Sequence, residues 1–195
     1  MAKNRNLIKN TSYNFKLRSR PSFFIGTYII LCTFLIKTTL NGFITDSSPF
    51  GFLTVNYLEG LIFIITFFGV LLSLFALFFG NRKYQRKIGN KVWNKNSKKM
   101  MWLLLALTTA LYEVEFYLLR SGEEAFIIPT FIIGYGLTFL ILNFSRIISL
   151  YQFSIICFLI GFIPLFIDDF GFYTLFILGI AHYVFAFLNR AQNDI

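Results

Sequence analysis

The feature that most restricts this chain is a series of six long apolar segments. A helix needs about 20 apolar residues to cross the roughly 30 Å hydrocarbon core of a bilayer. Six stretches reach that length: 22–42, 58–80, 100–119, 125–144, 147–167 and 171–189. Because lipid cannot hydrogen-bond to the backbone, each stretch is expected to form a helix. The sequence therefore predicts an all-α, polytopic integral membrane bundle with six transmembrane helices.

The composition leaves no room for a sizeable soluble domain. Of the 195 residues, 56% are hydrophobic and only 14% are charged, whereas soluble domains carry about 25% charged residues. We expect one transmembrane domain over 22–189, preceded by a basic segment at 1–21, interrupted by a basic loop at 81–99 and followed by a short tail at 190–195. No small-residue cleavage site follows the first apolar segment, so we expect that span to be retained. An organellar transit peptide is the alternative interpretation of the acid-free leader.

The charged residues predict an orientation. Lys and Arg near the ends of spans stay in the cytoplasm. If six spans are present and both termini are cytoplasmic, all of the 18 Lys and Arg except Lys37 and Arg120 fall on the cytoplasmic side. All of the nine acidic residues except Asp194 then fall outside. We therefore predict cytoplasmic termini, in a bacterial inner membrane.

The net charge of +9 is divided among short segments next to the spans, which is typical of attraction to anionic lipid headgroups. Aromatic residues that could stack on bases are not interleaved with this charge, so no nucleic-acid partner is expected. The predicted partners are the bilayer, with anionic headgroups at the basic cytoplasmic loop, and a homo-oligomer or a partner membrane protein. Cys32 and Cys157 lie within spans and are interpreted as small packing residues. No cofactor and no metal site are predicted.

Small and polar residues identify the faces that membrane helices turn towards each other. In the second span, Glu59, Thr66, Ser73 and Gly80 recur every seven residues, with Gly69 on the same face. Because a seven-residue spacing stays on one face of a helix, this stripe is predicted to point into the bundle. Glu59 would lie at its outer end.

The first span carries a similar stripe of Gly26, Thr33 and Lys37. Lys37 is therefore predicted to point inward, at a depth comparable to that of Glu59. A lone ammonium held away from water should seek a carboxylate. We expect an ion pair between Lys37 and Glu59 or Glu113.

The third span carries two glutamates on different faces. Glu113 and Glu115 are two residues apart in the sequence, which corresponds to about 200° around a helix. Glu113 aligns with Thr109, Tyr117 and Arg120, whereas Glu115 aligns with leucines. Glu113 is therefore predicted to face a cavity, and Glu115 is predicted to reach the headgroups.

His182 lies in the sixth span, on a stripe with Gly179, Ala186 and Asn189. One interpretation makes this histidine a proton relay or a substrate contact. The other, simpler interpretation makes it a neutral hydrogen-bond partner between helices.

Two prolines, Pro129 and Pro164, fall in the outer halves of the fourth and fifth spans. Proline bends a helix because it removes a backbone hydrogen bond. We therefore expect these halves to splay and to open an outward-facing cavity. Its predicted rim consists of Lys37, Glu59, Glu113 and Arg120.

Several enzyme classes are excluded by missing residues. One histidine cannot build a three-histidine zinc site or an H-E-x-x-H helix, and neither a G-x-S-x-G elbow nor a Walker loop is present. The stretch "DDFGF" ends in Phe172, where a D-D-x-x-D motif needs an acid, so we interpret it as a turn.

Three functional classes remain. The favoured one is a non-enzymatic protein, such as a transporter, with an outward-facing polar cavity for a small solute, a cation or a lipid headgroup. The alternatives are an accessory, assembly or regulatory membrane protein, and a lipid-headgroup enzyme with Glu113 as its base. The candidate ligand-binding residues are Glu113, Glu59, Lys37, Arg120, Tyr117 and His182.

Overall fold

In the computed structural model, residues 17–45, 54–87, 95–142, 148–167 and 170–193 are described. They form six α-helices and contain no strand, which confirms the all-α prediction. The helices are α1 Ser19–Ile44, α2 Val55–Lys87, α3 Lys95–Ser121, α4 Ile127–Leu142, α5 Ile148–Phe162 and α6 Gly171–Asn193. A 3₁₀ turn, Glu124–Phe126, precedes α4, and a second, Ile163–Leu165, follows α5.

Five of the described helices are long and apolar enough to cross a membrane. They are Ser19–Ile44, Val55–Gly80, Ser97–Ser121, Glu124–Ile141 and Gly171–Arg190. The sixth apolar helix, Leu150–Leu165, is shorter. The chain is thus a multi-pass integral membrane protein by the length and composition of its helices.

The basic segment at 81–99 differs from the predicted loop. α2 continues to Lys87 and α3 begins at Lys95, and only the residues between them fall outside the described ranges. Lys, Arg and Gln are good helix formers, so the helices do not end where the apolar residues end. The 33 residues of α2 span about 50 Å, more than the thickness of the hydrocarbon core. The basic residues of 81–87 therefore extend α2 beyond the apolar span.

α1 is the central helix and packs between α6 and α2. Gly26 of α1 lies so close to α6 that a Cβ atom there would be 2.7 Å from the carbonyl oxygen of Gly179. His182 and Ala186 of α6 are buried on the same side. Small residues allow such a close approach of two backbones in lipid. The predicted inward faces of the first and sixth spans are confirmed at these positions.

α2 packs against α1 through the predicted glycines. A Cβ atom on Gly69 would meet the Cys32 sulfur at 2.5 Å, and one on Gly80 would meet the Pro21 ring at the same distance. Glu59, at the other end of the stripe, is exposed. The stripe therefore faces the bundle through its glycines, but Glu59 does not.

The prolines do not splay α4 and α5. Pro129 is the third residue of α4, where a missing backbone N–H is tolerated, and Pro164 lies in the 3₁₀ turn after α5. The two helices stay packed near this end, where a Cβ atom on Gly161 would be 2.7 Å from Ile133. The prediction of splayed outer halves is wrong because both prolines sit at helix ends.

Candidate functional site

A cavity of about 380 Å³ lies between α1, α2, α3 and α4, with residues of α6 at one end. It exists because α2 and α3 approach each other mainly through long side chains. The rings of Phe63 and Tyr112 lie 5.8 Å apart, and Leu74 packs against Met100 and Leu104. These side-chain contacts hold the α2 and α3 backbones apart, and the cavity lies between them.

The cavity is elongated and mostly apolar. Its wall on α1 runs from Tyr28 to Leu40, about 18 Å along the helix axis. Glu124 and Phe172 line one end, which is the outer end in the predicted orientation. Isoleucine, leucine, valine and phenylalanine make up most of the remaining wall.

A smaller chamber of about 90 Å³ continues from the cavity towards Tyr135 and Thr138. Tyr112 and Glu115 line both spaces. The two residues are three apart on α3 and therefore share a face. They lie where the cavity and the chamber meet.

Oε1 of Glu115 is buried at this junction without a hydrogen-bond partner among the described residues. The Tyr112 hydroxyl lies beside Thr66 of α2, whose side-chain oxygen can accept its hydrogen. Buried polar groups in proteins are nearly always hydrogen-bonded. The Glu115 carboxylate is therefore the strongest indication of a ligand in the described part of the molecule.

Three hydroxyl groups of the cavity wall donate their hydrogens to carbonyls of their own helices. Thr33 donates to the Ile29 carbonyl at 2.7 Å, and Ser73 donates to the Gly69 carbonyl at 2.8 Å. Thr66 donates to the Phe63 carbonyl at 2.9 Å. A hydroxyl has one hydrogen but two lone pairs, so these residues can only accept bonds from a ligand. Together with the Glu115 carboxylate, they form a wall that suits hydrogen-bond donors or a cation.

The two α3 glutamates occupy the opposite positions from those predicted. Glu113 is exposed, as are Tyr117 and Arg120, and the Arg120 guanidinium lies 5.0 Å from the centre of the Phe116 ring. Glu115 faces the cavity. The predicted faces are wrong because leucine does not mark the lipid side here: Leu111, on the Glu115 side, packs against Gly134 of α4.

Lys37 does not form the predicted ion pair. Its ammonium lies 4.6 Å from the centre of the Tyr173 ring, where the negative face of the aromatic system attracts a cation. Neither Glu59 nor Glu113 pairs with it, since both carboxylates are exposed elsewhere on the described surface. The predicted rim of four charged residues is therefore not brought together.

His182 is fully buried and lies outside both spaces. Ser22 Oγ donates to the His182 carbonyl at 2.9 Å and lies 3.0 Å from Nδ1, while the Tyr135 hydroxyl lies 2.7 Å from Nε2. One arrangement satisfies all of these contacts. Nδ1–H donates to Ser22, and Tyr135 donates to Nε2. His182 thus joins α1, α4 and α6, as expected for a hydrogen-bond partner between helices, and the chain of bonds ends on a backbone carbonyl.

Tyr112 was not predicted as a site residue. Its signal in the sequence is the spacing of Thr108, Tyr112 and Glu115, at four and three residues. This spacing places a second polar stripe on α3.

No family model, no curated protein and no solved structure matches this chain. Within the described ranges, no three His, Cys, Asp or Glu side chains come together as metal ligands.

Proposed function

We propose that this protein is a membrane-embedded binding protein for an elongated, largely apolar molecule that carries a cationic or hydrogen-bond-donating group. The apolar part of the ligand occupies the cavity between α1, α2, α3 and α4. Its donor group binds Glu115, beside Tyr112. This proposal narrows the predicted solute, cation or lipid headgroup to an amphipathic cation or a lipid with a donor headgroup.

The observation that carries the proposal is the unpartnered Glu115 oxygen at the junction. Leaving a buried polar group unsatisfied costs about 1–3 kcal/mol, and an ionised carboxylate in lipid is costlier unless it is paired. A ligand that donates to this oxygen removes the cost. The Thr33 and Ser73 hydroxyls donate to their own helices and can therefore accept from the same ligand.

The proposal includes an orientation of the protein in the membrane. With six spans and cytoplasmic termini, the cavity end lined by Glu124 and Phe172 faces outward. The inner chamber then extends from Glu115 towards the cytoplasmic half, as a carrier for the ligand would need. Transport remains a prediction, as does location in a bacterial inner membrane. Both come from the sequence.

The alternative of a lipid-headgroup enzyme requires Glu113 as the catalytic base. Glu113 lies outside the cavity, so this alternative is not supported. The accessory-protein alternative is compatible with a binding function.

Ligand-induced stabilisation of the purified protein in phosphatidylcholine nanodiscs tests the proposal. The probes share one alkyl chain and differ in the headgroup: dodecylammonium, dodecanol and dodecanoate. We expect dodecylammonium to raise the free energy of unfolding most, by about 2.7 kcal/mol at a hundredfold excess over its Kd. Dodecanoate should not stabilise, because its headgroup would oppose Glu115.

Glu115→Gln keeps the shape of the side chain and should abolish the preference for dodecylammonium. Glu113→Gln is the matched control and should retain it. Equal responses of the two variants, or equal stabilisation by dodecanoate, would show that Glu115 does not bind the ligand.

A further inference from the structure

A carboxylate faces outward on α3, away from the cavity. Glu113 is exposed and lies eight residues before the end of α3 at Ser121, which is about 12 Å along the helix axis. Long Lys and Arg side chains can reach the headgroups from such a depth, but a glutamate side chain is much shorter. Acidic residues within spans nearly always face protein or a water-filled cavity. The position of Glu113 therefore indicates that lipid does not cover this face.

Glu113 has no partner within the described part of the chain. It takes part in no hydrogen bond or ion pair with the described residues. Arg120 is two turns away, and its guanidinium lies over the Phe116 ring instead. Among the described residues, the carboxylate is therefore open to a basic group of a partner.

Between Trp102 and Glu113, the same face of α3 carries small side chains. Ala106, Thr109 and Ala110 are all exposed on the same side of α3. Small residues let a second helix approach closely in lipid. By contrast, the exposed face of α2 carries large side chains such as Phe67 and Phe68, as expected for contact with acyl chains.

We propose that the face of α3 defined by Ala106, Thr109, Ala110, Glu113 and Tyr117 binds a transmembrane helix of a different protein. That helix places a Lys or Arg against Glu113.

A second copy of this chain does not fit the same face. A two-fold axis along the membrane normal pairs identical residues, so Glu113 would oppose Glu113 and Arg120 would oppose Arg120. Like charges facing each other disfavour such a contact. The complementary partner is therefore basic at this depth.

Energy transfer from Trp102 to synthetic transmembrane peptides tests this proposal. Trp102 is 67% exposed and lies one turn before Ala106 on the same face, and Trp93→Phe leaves it as the sole tryptophan. The full-length protein is reconstituted in phosphatidylcholine vesicles with dansyl-labelled leucine–alanine helices. One peptide carries a single Arg about 10 Å from the end of its apolar stretch, and the matched peptides carry Leu or Glu there.

We expect the Arg peptide to bind at least about threefold more tightly than the Leu peptide, since side-chain hydrogen bonds between membrane helices are worth about 0.6 kcal/mol on average. Glu113→Gln should remove the preference. Glu59→Gln, which changes an exposed acid on another helix, should preserve it. Ala110→Leu should weaken binding of the Arg peptide while keeping the charge, because it blocks close approach.

Equal binding of the Arg and Leu peptides would overturn the proposal, as would a preference that persists in Glu113→Gln. Self-association of the protein that depends on Glu113 would also overturn it, because the occupant would then be a second copy. None of these outcomes depends on Glu115, so a failure here is distinct from a failure of the cavity proposal.

Discussion

Replacing Gly26 by alanine should loosen the contact between α1 and α6. The added Cβ atom would lie 2.7 Å from the carbonyl oxygen of Gly179 and 3.0 Å from Cβ of His182. A backbone oxygen cannot rotate away from the clash, so the two helices must separate. Ser22 is one turn from Gly26, and its hydrogen bonds to His182 would lengthen with that movement.

The size of the effect follows from opposing contributions. Overpacking a tight contact costs about 1–3 kcal/mol, and each weakened hydrogen bond between membrane helices adds about 0.6 kcal/mol. Alanine offsets part of this cost because it favours a helix over glycine by about 0.5–1 kcal/mol. We expect a net loss of about 1–2 kcal/mol in the free energy of unfolding.

Reversible unfolding with SDS in mixed micelles, followed by circular dichroism, measures this difference. Gly60→Ala is the matched control, because nothing lies within 4 Å of a Cβ atom at Gly60. It should be as stable as the parent or slightly more stable. If Gly26→Ala were as stable as Gly60→Ala, the close approach of α1 and α6 would not exist in the folded protein.

Two further predictions concern the His182 contacts and the orientation. Tyr135→Phe removes the hydroxyl 2.7 Å from Nε2 of His182 and should cost about 1 kcal/mol of unfolding free energy, whereas Tyr151→Phe at an exposed position should cost nothing measurable in the same SDS assay. In a background lacking Cys32 and Cys157, cysteines at Ser121 and Phe170 should react with an impermeant thiol reagent added outside intact cells, and a cysteine at Lys98 should not. Equal losses for the two tyrosines, or labelling at Lys98, would contradict the respective assignments.

The helical architecture could be predicted from hydropathy because each span must satisfy its own backbone in lipid. The contact faces of α1, α2 and α6 were predictable for a related reason. Glycine is scarce among the bulky residues of these spans, and only a glycine face allows backbones to approach as Gly26 and Gly179 do.

The ends of α2 and α3 could not be predicted in the same way. Hydropathy marks where the lipid ends, and that is not where a helix must end. The basic residues up to Lys87 favour helix in water as well, so α2 extends beyond its apolar span. The membrane boundary and the helix boundary are separate physical limits.

The two glutamates of α3 show why its faces could not be assigned from sequence. Thr108, Tyr112 and Glu115 form one polar stripe, and Thr109, Glu113 and Tyr117 form another, so polarity is similar on both sides.

The orientation of α3 is fixed instead by packing on α4, where Leu111 fills the space left by Gly134. That contact turns Glu115 inward and leaves Glu113 outside. Each carboxylate then lacks a partner among the described residues for a different reason, one in an apolar cavity and the other on the exposed face of α3. Glu115→Gln and Glu113→Gln should therefore separate ligand binding from partner binding, although the two residues are neighbours on one helix.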